Sequence, residues 1–184
     1  MVETRTYTVE ELERTPPAGD VLLNDWELID GKVVAVPPAG AEAFATVMRM
    51  ASLIGGAVYE NRRGVMYLGS GFKLFPDRET LLAPDVAFVR SERLSSNQRH
   101  RFLRTPPDLA VDVVPSFDAV YPALNRGLMY LDAGVRLVWL VDPTRLAVVV
   151  MAPDEWPVTL RAREVLGGGA VLPGFAVPVA DVFR

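Results

Sequence analysis

Two aspartates stand within apolar, strand-like runs that offer a carboxylate no local partner. Asp85 lies in Pro84-Asp85-Val86-Ala87-Phe88-Val89, and Asp112 in Leu109-Ala110-Val111-Asp112-Val113-Val114. An unpaired carboxylate is costly to bury, so each demands compensation. A hard cation such as Mg²⁺, which takes oxygen ligands, would balance both if the strands are adjacent and their carboxylates converge at one end of a sheet. The other reading is structural: each aspartate caps a loop or pairs with an arginine. Composition narrows the chemistry further. The 184 residues include no cysteine and one histidine, His100. That removes disulfide frameworks, thiolate zinc sites, iron–sulfur clusters, cysteine nucleophiles and any multi-histidine metal centre within one chain. A Ser-His-Asp triad would have to use His100, and no Gly-x-Ser-x-Gly elbow precedes a helix. Gly69-Ser70-Gly71 and Gly167-Gly168-Gly169 fit neither a P-loop nor a dinucleotide-binding turn. Metal-bound carboxylates are the simplest apparatus left.

The cations are lopsided: seventeen arginines but only two lysines, Lys32 and Lys73. Arginine stays protonated, so any step that needs a neutral amine has two candidates. Net charge is −4, so the average surface does not attract polyanions, and a nucleic-acid contact must come from a local patch. One such patch exists in the sequence. Between Arg90 and Arg104, Arg90, Arg93, Arg99, Arg101 and Arg104 face a single acid, Glu92, with His100 among them. This is the cluster suited to phosphate contacts, unless it is an ordinary solubilising loop. It lies between the two acidic strands, which puts it near them on the sequence reading.

The elements that must position these residues follow from periodicity and caps. Thr8-Val9-Glu10-Glu11 has capping-box spacing, predicting a short helix from Val9 to about Arg14 that ends at Pro16-Pro17. Trp26 to Val36 reads as a hairpin turning at Asp30-Gly31. Phe44, Val47, Met48, Ala51 and Ile54 fall at helical spacing and predict an amphipathic helix over about 41–54. Three strand-like segments follow, Val65 to Phe75 with a bulge or turn at Gly69-Ser70-Gly71, then Pro84 to Val89, then Pro107 to Val114. Phe117 to Ala133 predicts a helix with Pro122 in its first turn and Gly134 as its stop. Leu137 to Val141 reads as a strand covered on both faces, followed by a strand from Leu146 to Met151 and short peripheral strands. One helical crossover before the last central strand implies a mixed sheet flanked by helices. No repeat or linker divides the chain, so 1–184 is expected to be one domain. The N-terminus lacks an apolar signal core, and the longest uncharged stretch, Val165 to Ala180, is broken by glycines and prolines. The expectation is a soluble, cytoplasmic protein with no membrane span.

Four segments come in a familiar order: Leu82-Ala83-Pro84-Asp85-Val86-Ala87-Phe88-Val89, Pro107 to Ser116, Tyr130-Leu131-Asp132-Ala133-Gly134-Val135, and Val138-Trp139-Leu140-Val141-Asp142-Pro143. Together with Glu27-Leu28-Ile29-Asp30-Gly31 and Leu172-Pro173-Gly174-Phe175, they resemble the bacterial restriction-endonuclease-like proteins long labelled a domain of unknown function, within the PD-(D/E)XK nuclease superfamily. The resemblance spans roughly Tyr7 to Phe183. It implies an α/β (α+β) fold of the restriction-endonuclease type, with an N-terminal helix and hairpin and C-terminal peripheral strands.

It also implies a site. Asp85 would be the aspartate of the Pro-Asp motif, and Asp112 would take the second acidic position, where the family usually has glutamate. The backbone carbonyl of Val113 would be a further metal ligand. Glu27 matches an acidic residue that the family carries before its turn; the alternative is a solvent-facing hairpin carboxylate. The motif lysine, displaced in this family onto the following helix, corresponds to Arg126, one turn before Tyr130 on the same helix face. Mg²⁺ or Mn²⁺ would then polarise a DNA phosphodiester and activate a water. Arg126 can stabilise negative charge but cannot accept a proton. Lys73 on a neighbouring strand would be the substitute amine, unless it is a solvent-facing lysine. DNA is the implied partner, and a homodimer follows by analogy with paired enzymes of the superfamily. A member that keeps the fold but only binds nucleic acid or a protein is the alternative. The nuclease reading requires the two aspartates to meet; a guanidinium filling the gap between them would leave a chemically silent relative.

Overall fold

The first element shows its cause directly. In a computed structural model that describes residues 5–16, 26–36, 39–94, 102–114 and 120–184, helix α1 (Val9–Arg14) opens on the predicted capping box. Glu11 N–H donates to Thr8 Oγ1 at 3.1 Å, and Thr8 N–H donates to Glu11 Oε2 at 2.8 Å. Strands β1 (Trp26–Ile29) and β2 (Lys32–Ala35) form the predicted hairpin. Its two turn residues, Asp30 and Gly31, have φ of 47° and 78°, the left-handed pair that a two-residue hairpin turn needs.

Helix α2 spans Ala41–Tyr59, a turn and more beyond the predicted end. Met50, Ile54 and Val58 on its inner face are fully buried, each worth about 1.5–3 kcal/mol relative to exposure. By length and composition alone α2 would pass for a membrane span; the face packed on the sheet makes it a core helix.

The interruption at Gly69-Ser70-Gly71 is a change of sheet. Strand β3 (Gly64–Leu68) pairs with β6 (Val86–Arg90), whereas β4 (Phe72–Lys73) pairs with β5 (Leu81–Leu82). Two main sheets result. The smaller has the order β2-β1-β5-β4. The larger is built with β7 (Leu109–Val113), β8 (Leu137–Asp142), β9 (Ala147–Met151) and β10 (Val158–Arg161), in the order β10-β9-β8-β7-β6-β3. Helix α3 (Val120–Asp132) connects β7 to β8, the one parallel pair, and every other neighbour in this sheet is antiparallel. This is the mixed sheet that the element order implied. Strands β11 (Val165–Gly167) and β12 (Ala176–Pro178) and helix α4 (Val179–Val182) complete the chain.

Period-2 alternation divides the large sheet into two packed faces. On one, Val86, Phe88, Val111 and Trp139 meet α2 and the C-terminal segment, with Trp139 and Phe175 ring centroids 5.4 Å apart. On the other, Ala87, Val89, Ala110, Val138 and Leu140 meet Ala123 and Tyr130 of α3. Gly127 lets α3 approach this closely: a Cβ there would lie 2.6 Å from Met151 Sδ. Parity assigns Asp85 and Asp112 to the α3 face.

Candidate active site

Strand register brings the two aspartates together. Val86 pairs with Val111 and Ala87 with Ala110, so one step further along the same antiparallel ladder Asp85 stands opposite Asp112. Asp85 N–H donates to Asp112 Oδ1 at 3.4 Å, and Val113 N–H donates to Asp85 Oδ2 at 2.7 Å. The Val113 side chain packs into the opposite core, so this residue offers the site only its backbone.

The remaining members arrive from the hairpin and from α3. On β1, Leu28 faces the α1 cluster, which turns its neighbour Glu27 the other way; Glu27 is buried, not a solvent-facing hairpin carboxylate. Glu27 Oε1 accepts from Ala83 N–H at 2.8 Å, tying the hairpin to the segment that leads into Asp85. Arg126 bridges the acids. Its Nε donates to Asp112 Oδ2 at 2.8 Å, one terminal nitrogen donates to Glu27 Oε2, and the other donates to the Tyr130 hydroxyl at 3.0 Å. That hydroxyl donates in turn to Asp112 Oδ1 at 3.5 Å. Tyr130 is the participant that sequence reasoning named only as a landmark; the one-turn spacing from Arg126 was the available signal.

Charge is unbalanced here. Three carboxylates, Glu27, Asp85 and Asp112, converge on one guanidinium. Among the described residues no cation pairs with Asp85. Burial, and then the neighbouring Asp112, push its carboxyl up to about 7, against the opposing pull of the Val113 amide and Arg126. Despite its burial, the neighbouring Asp112 and Glu27 carboxylates hold the Arg126 guanidinium firmly protonated. Burial also pushes the Tyr130 hydroxyl well above its ordinary range, so it remains a proton donor.

The fit to a divalent ion is one of donor type and charge. Among the described residues no cluster of three or more ligating side chains is arranged around a common point. Mg²⁺, however, is commonly held by one or two carboxylates together with waters and substrate phosphate. Asp85, which is partly accessible, and Asp112 supply such a pair, and the uncompensated negative charge calls for a cation. Arg126 takes up Oδ2 of Asp112 on the side of Glu27, whereas Oδ1 accepts from the Asp85 backbone N–H and the Tyr130 hydroxyl. The guanidinium therefore reaches Asp112 without pairing to Asp85, and Glu27 is occupied as its partner.

Other expected residues are not brought to the site. Lys73 is neither solvent-facing nor a substitute amine here. Its Nζ lies 3.5 Å from both Glu10 and Glu79, which ties β4 to α1. Arg104 pairs with Glu10 at 2.9 Å and Glu13 at 2.7 Å, so it belongs to the same N-terminal tie. Arg90 and Arg93 are placed at the wrong end for contact with the acids. Because β6 and β7 are antiparallel, the connection leaves β6 at its far end, about 17 Å of strand from Asp85. There both arginines flank fully buried Asp108, with Arg93 at 2.9 Å and Arg90 at 3.9 Å. Arg99, His100 and Arg101 lie outside the described residues. Asp108 was missed by sequence reasoning, although a second Pro-Asp pair beside an arginine-rich segment was its signal.

Comparison with known proteins agrees with this architecture. The model of the Uma2 family, described as "Putative restriction endonuclease", matches residues 9–180. The structure is similar to the crystal structure of a "putative nuclease belonging to DUF820" from Anabaena variabilis ATCC 29413. The TM-score is 0.74 at 19% identity, covering 86% of this chain and 89% of that one. None of the curated proteins matches the sequence.

Proposed function

Since the chain belongs to the Uma2 family of restriction-endonuclease-like proteins, we propose that it is a divalent-metal-dependent nuclease of the PD-(D/E)XK type that hydrolyses DNA phosphodiester bonds. The observation that carries this reading is the cross-strand juxtaposition of Asp85 and Asp112 on the face that α3 covers. These two side chains, with the Val113 carbonyl beside them, would hold Mg²⁺ or Mn²⁺. When bound, the ion would polarise the scissile phosphate and lower the pKa of a water.

The chain's own residues account for the rest. Arg126 presents a fixed positive charge next to Asp112, suited to stabilising a phosphate as its negative charge grows. It cannot serve as a base, because it stays protonated. Tyr130 fixes the guanidinium and Asp112 in relation to each other, and Glu27 anchors the guanidinium from the other side. In the metal-free site the Asp85 carboxyl titrates at about 7, so near neutrality a proton competes with the ion for this ligand.

Titration with Mn²⁺, followed by calorimetry and thermal shift, tests the assignment. Binding at millimolar concentrations that Asp85→Ala abolishes supports it, and no binding by the wild-type protein removes it. Plasmid nicking with Mn²⁺ that survives Asp112→Ala would mean the wrong carboxylates have been chosen. A second reading is favoured by the engagement of Asp112 and Glu27 with Arg126: a member that keeps the fold and binds nucleic acid without cutting it. That reading predicts binding of DNA with no metal response.

A further inference from the structure

The end of the large sheet away from the acids carries the opposite charge. Four adjacent strands, β8, β7, β6 and β3, present in turn Arg136, the buried Asp108, Arg90, and the pair Arg62 and Arg63. The backbone links them: Leu137 N–H donates to Asp108 O at 3.2 Å, and Ser91 N–H donates to Arg63 O at 2.9 Å. At the centre, one carboxylate oxygen, Asp108 Oδ1, lies 2.9 Å from Arg93, 3.8 Å from Arg136 and 3.9 Å from Arg90. A single buried acid therefore sits among three guanidiniums. Five arginines gather here against Asp108 and the exposed Glu60 and Glu92. In a chain of net charge −4, these residues carry two more positive than negative charges.

Part of this charge is held in place. Arg90 donates to the carbonyls of Ala170 and Val171, and Arg63 donates to that of Pro173. Arg62 is exposed, and the Arg136 side chain is half-exposed. The row crosses three inter-strand spacings, about 14 Å in all, which matches the rise of roughly four phosphates along one DNA strand.

The geometry points to a second nucleic-acid contact at this end, where Arg62, Arg93 and Arg136 take the phosphate backbone of DNA about 17 Å along β6 from the acid pair. The choice of polymer rests on the nuclease reading; the recognised chemistry is the phosphate oxyanion. A backbone docked along this row would run across the strands, displaced from the acids along β6, held by charge and without base readout.

The test is binding of the full chain to a labelled 20-base-pair duplex in EDTA across a salt series. Arg62→Gln and Arg136→Gln alter exposed groups and leave Arg90 and Arg93 on Asp108; wild-type melting temperatures show that the variants fold. The double variant should bind about tenfold more weakly at low salt, with a salt slope shallower by about two. Each single variant should give about half of that change. Asp85→Asn should bind at least as tightly as the wild type, which separates this contact from the proposed metal site. Unchanged affinity and slope in the double variant would overturn the inference. So would stabilisation by inorganic phosphate at millimolar concentration without any duplex binding, which would leave a small-oxyanion site only.

Discussion

Arg126 Nε donates to Asp112 Oδ2 at 2.8 Å, placing a permanent cation on the second acidic position of the site. Two different cations therefore have a claim on Asp112: a resident guanidinium, and the divalent ion proposed here. Removing the guanidinium should reveal the competition. Arg126→Ala leaves Glu27 and Asp112 without their partner, and breaking such a buried pair costs about 3–5 kcal/mol. Denaturant unfolding in EDTA should show this loss. Millimolar Mn²⁺ should then recover more stability in the variant than it adds to the wild type. Equal metal responses in the two proteins would mean that arginine and metal do not share the carboxylates.

Asp85 sets a pH dependence whose sign is fixed by the direction of its shift. Its carboxyl goes from 3.8 to about 7 on folding, so between those values the folded state holds a proton that the unfolded chain has released. The resulting stabilisation is complete at the acid end of this window and is lost as pH rises towards 7. In EDTA, the wild type should lose melting temperature between pH 5 and 8 relative to Asp85→Asn, whose amide does not titrate. Metal competes with that proton, so the shift produced by Mn²⁺ should grow over the same range. Parallel pH profiles for the two proteins would contradict the assignment.

Tyr130 offers a finer test, because its ring and its hydroxyl do different things. The ring is part of the core beneath α3, and the hydroxyl joins Arg126 to Asp112. Tyr130→Phe keeps the packing and deletes the link, at a cost of about 1–3 kcal/mol for a hydrogen bond to a charged partner. Cleavage, if present, should fall through kcat with KM little changed, because the two groups it aligns lose their fixed relation. A stability loss with full activity would make Tyr130 a packing residue only.

What could be read from the chain beforehand was whatever local chemistry decides. The capping box at Thr8, the Asp30-Gly31 turn and the apolar run of β8 each carry their cause within a few residues, and each forms as the pattern implies. The pairing of Asp85 with Asp112 was also accessible, since it needs only adjacent strands with their acids at a common end. What failed was strand direction. Arg90 and Arg93 lie between the acidic strands in sequence, but antiparallel pairing of β6 and β7 puts them at the opposite end of the sheet, and Arg104 is drawn to the acids of α1. Lys73 failed for a related reason. The switch of sheet after Gly69-Ser70-Gly71 carries it to β4 and the acids around α1, and no local pattern announces a change of sheet.

Asp108 shows how far the two ends of β7 can be separated experimentally. It is fully buried, its Oδ2 accepts from Arg90 N–H at 2.9 Å, and its other oxygen is surrounded by arginines. Asp108→Ala would leave those guanidiniums facing one another with no acid among them, and the expected loss is about 3–5 kcal/mol. Asp108→Asn keeps the shape but removes the charge, and should lose less. Asp112 lies at the other end of the same strand, so the Asn variant, where it folds, should keep the full Mn²⁺ shift. Loss of the metal response in folded Asp108→Asn would mean that the ends of β7 are coupled, and that the site depends on more of the sheet than its own five side chains.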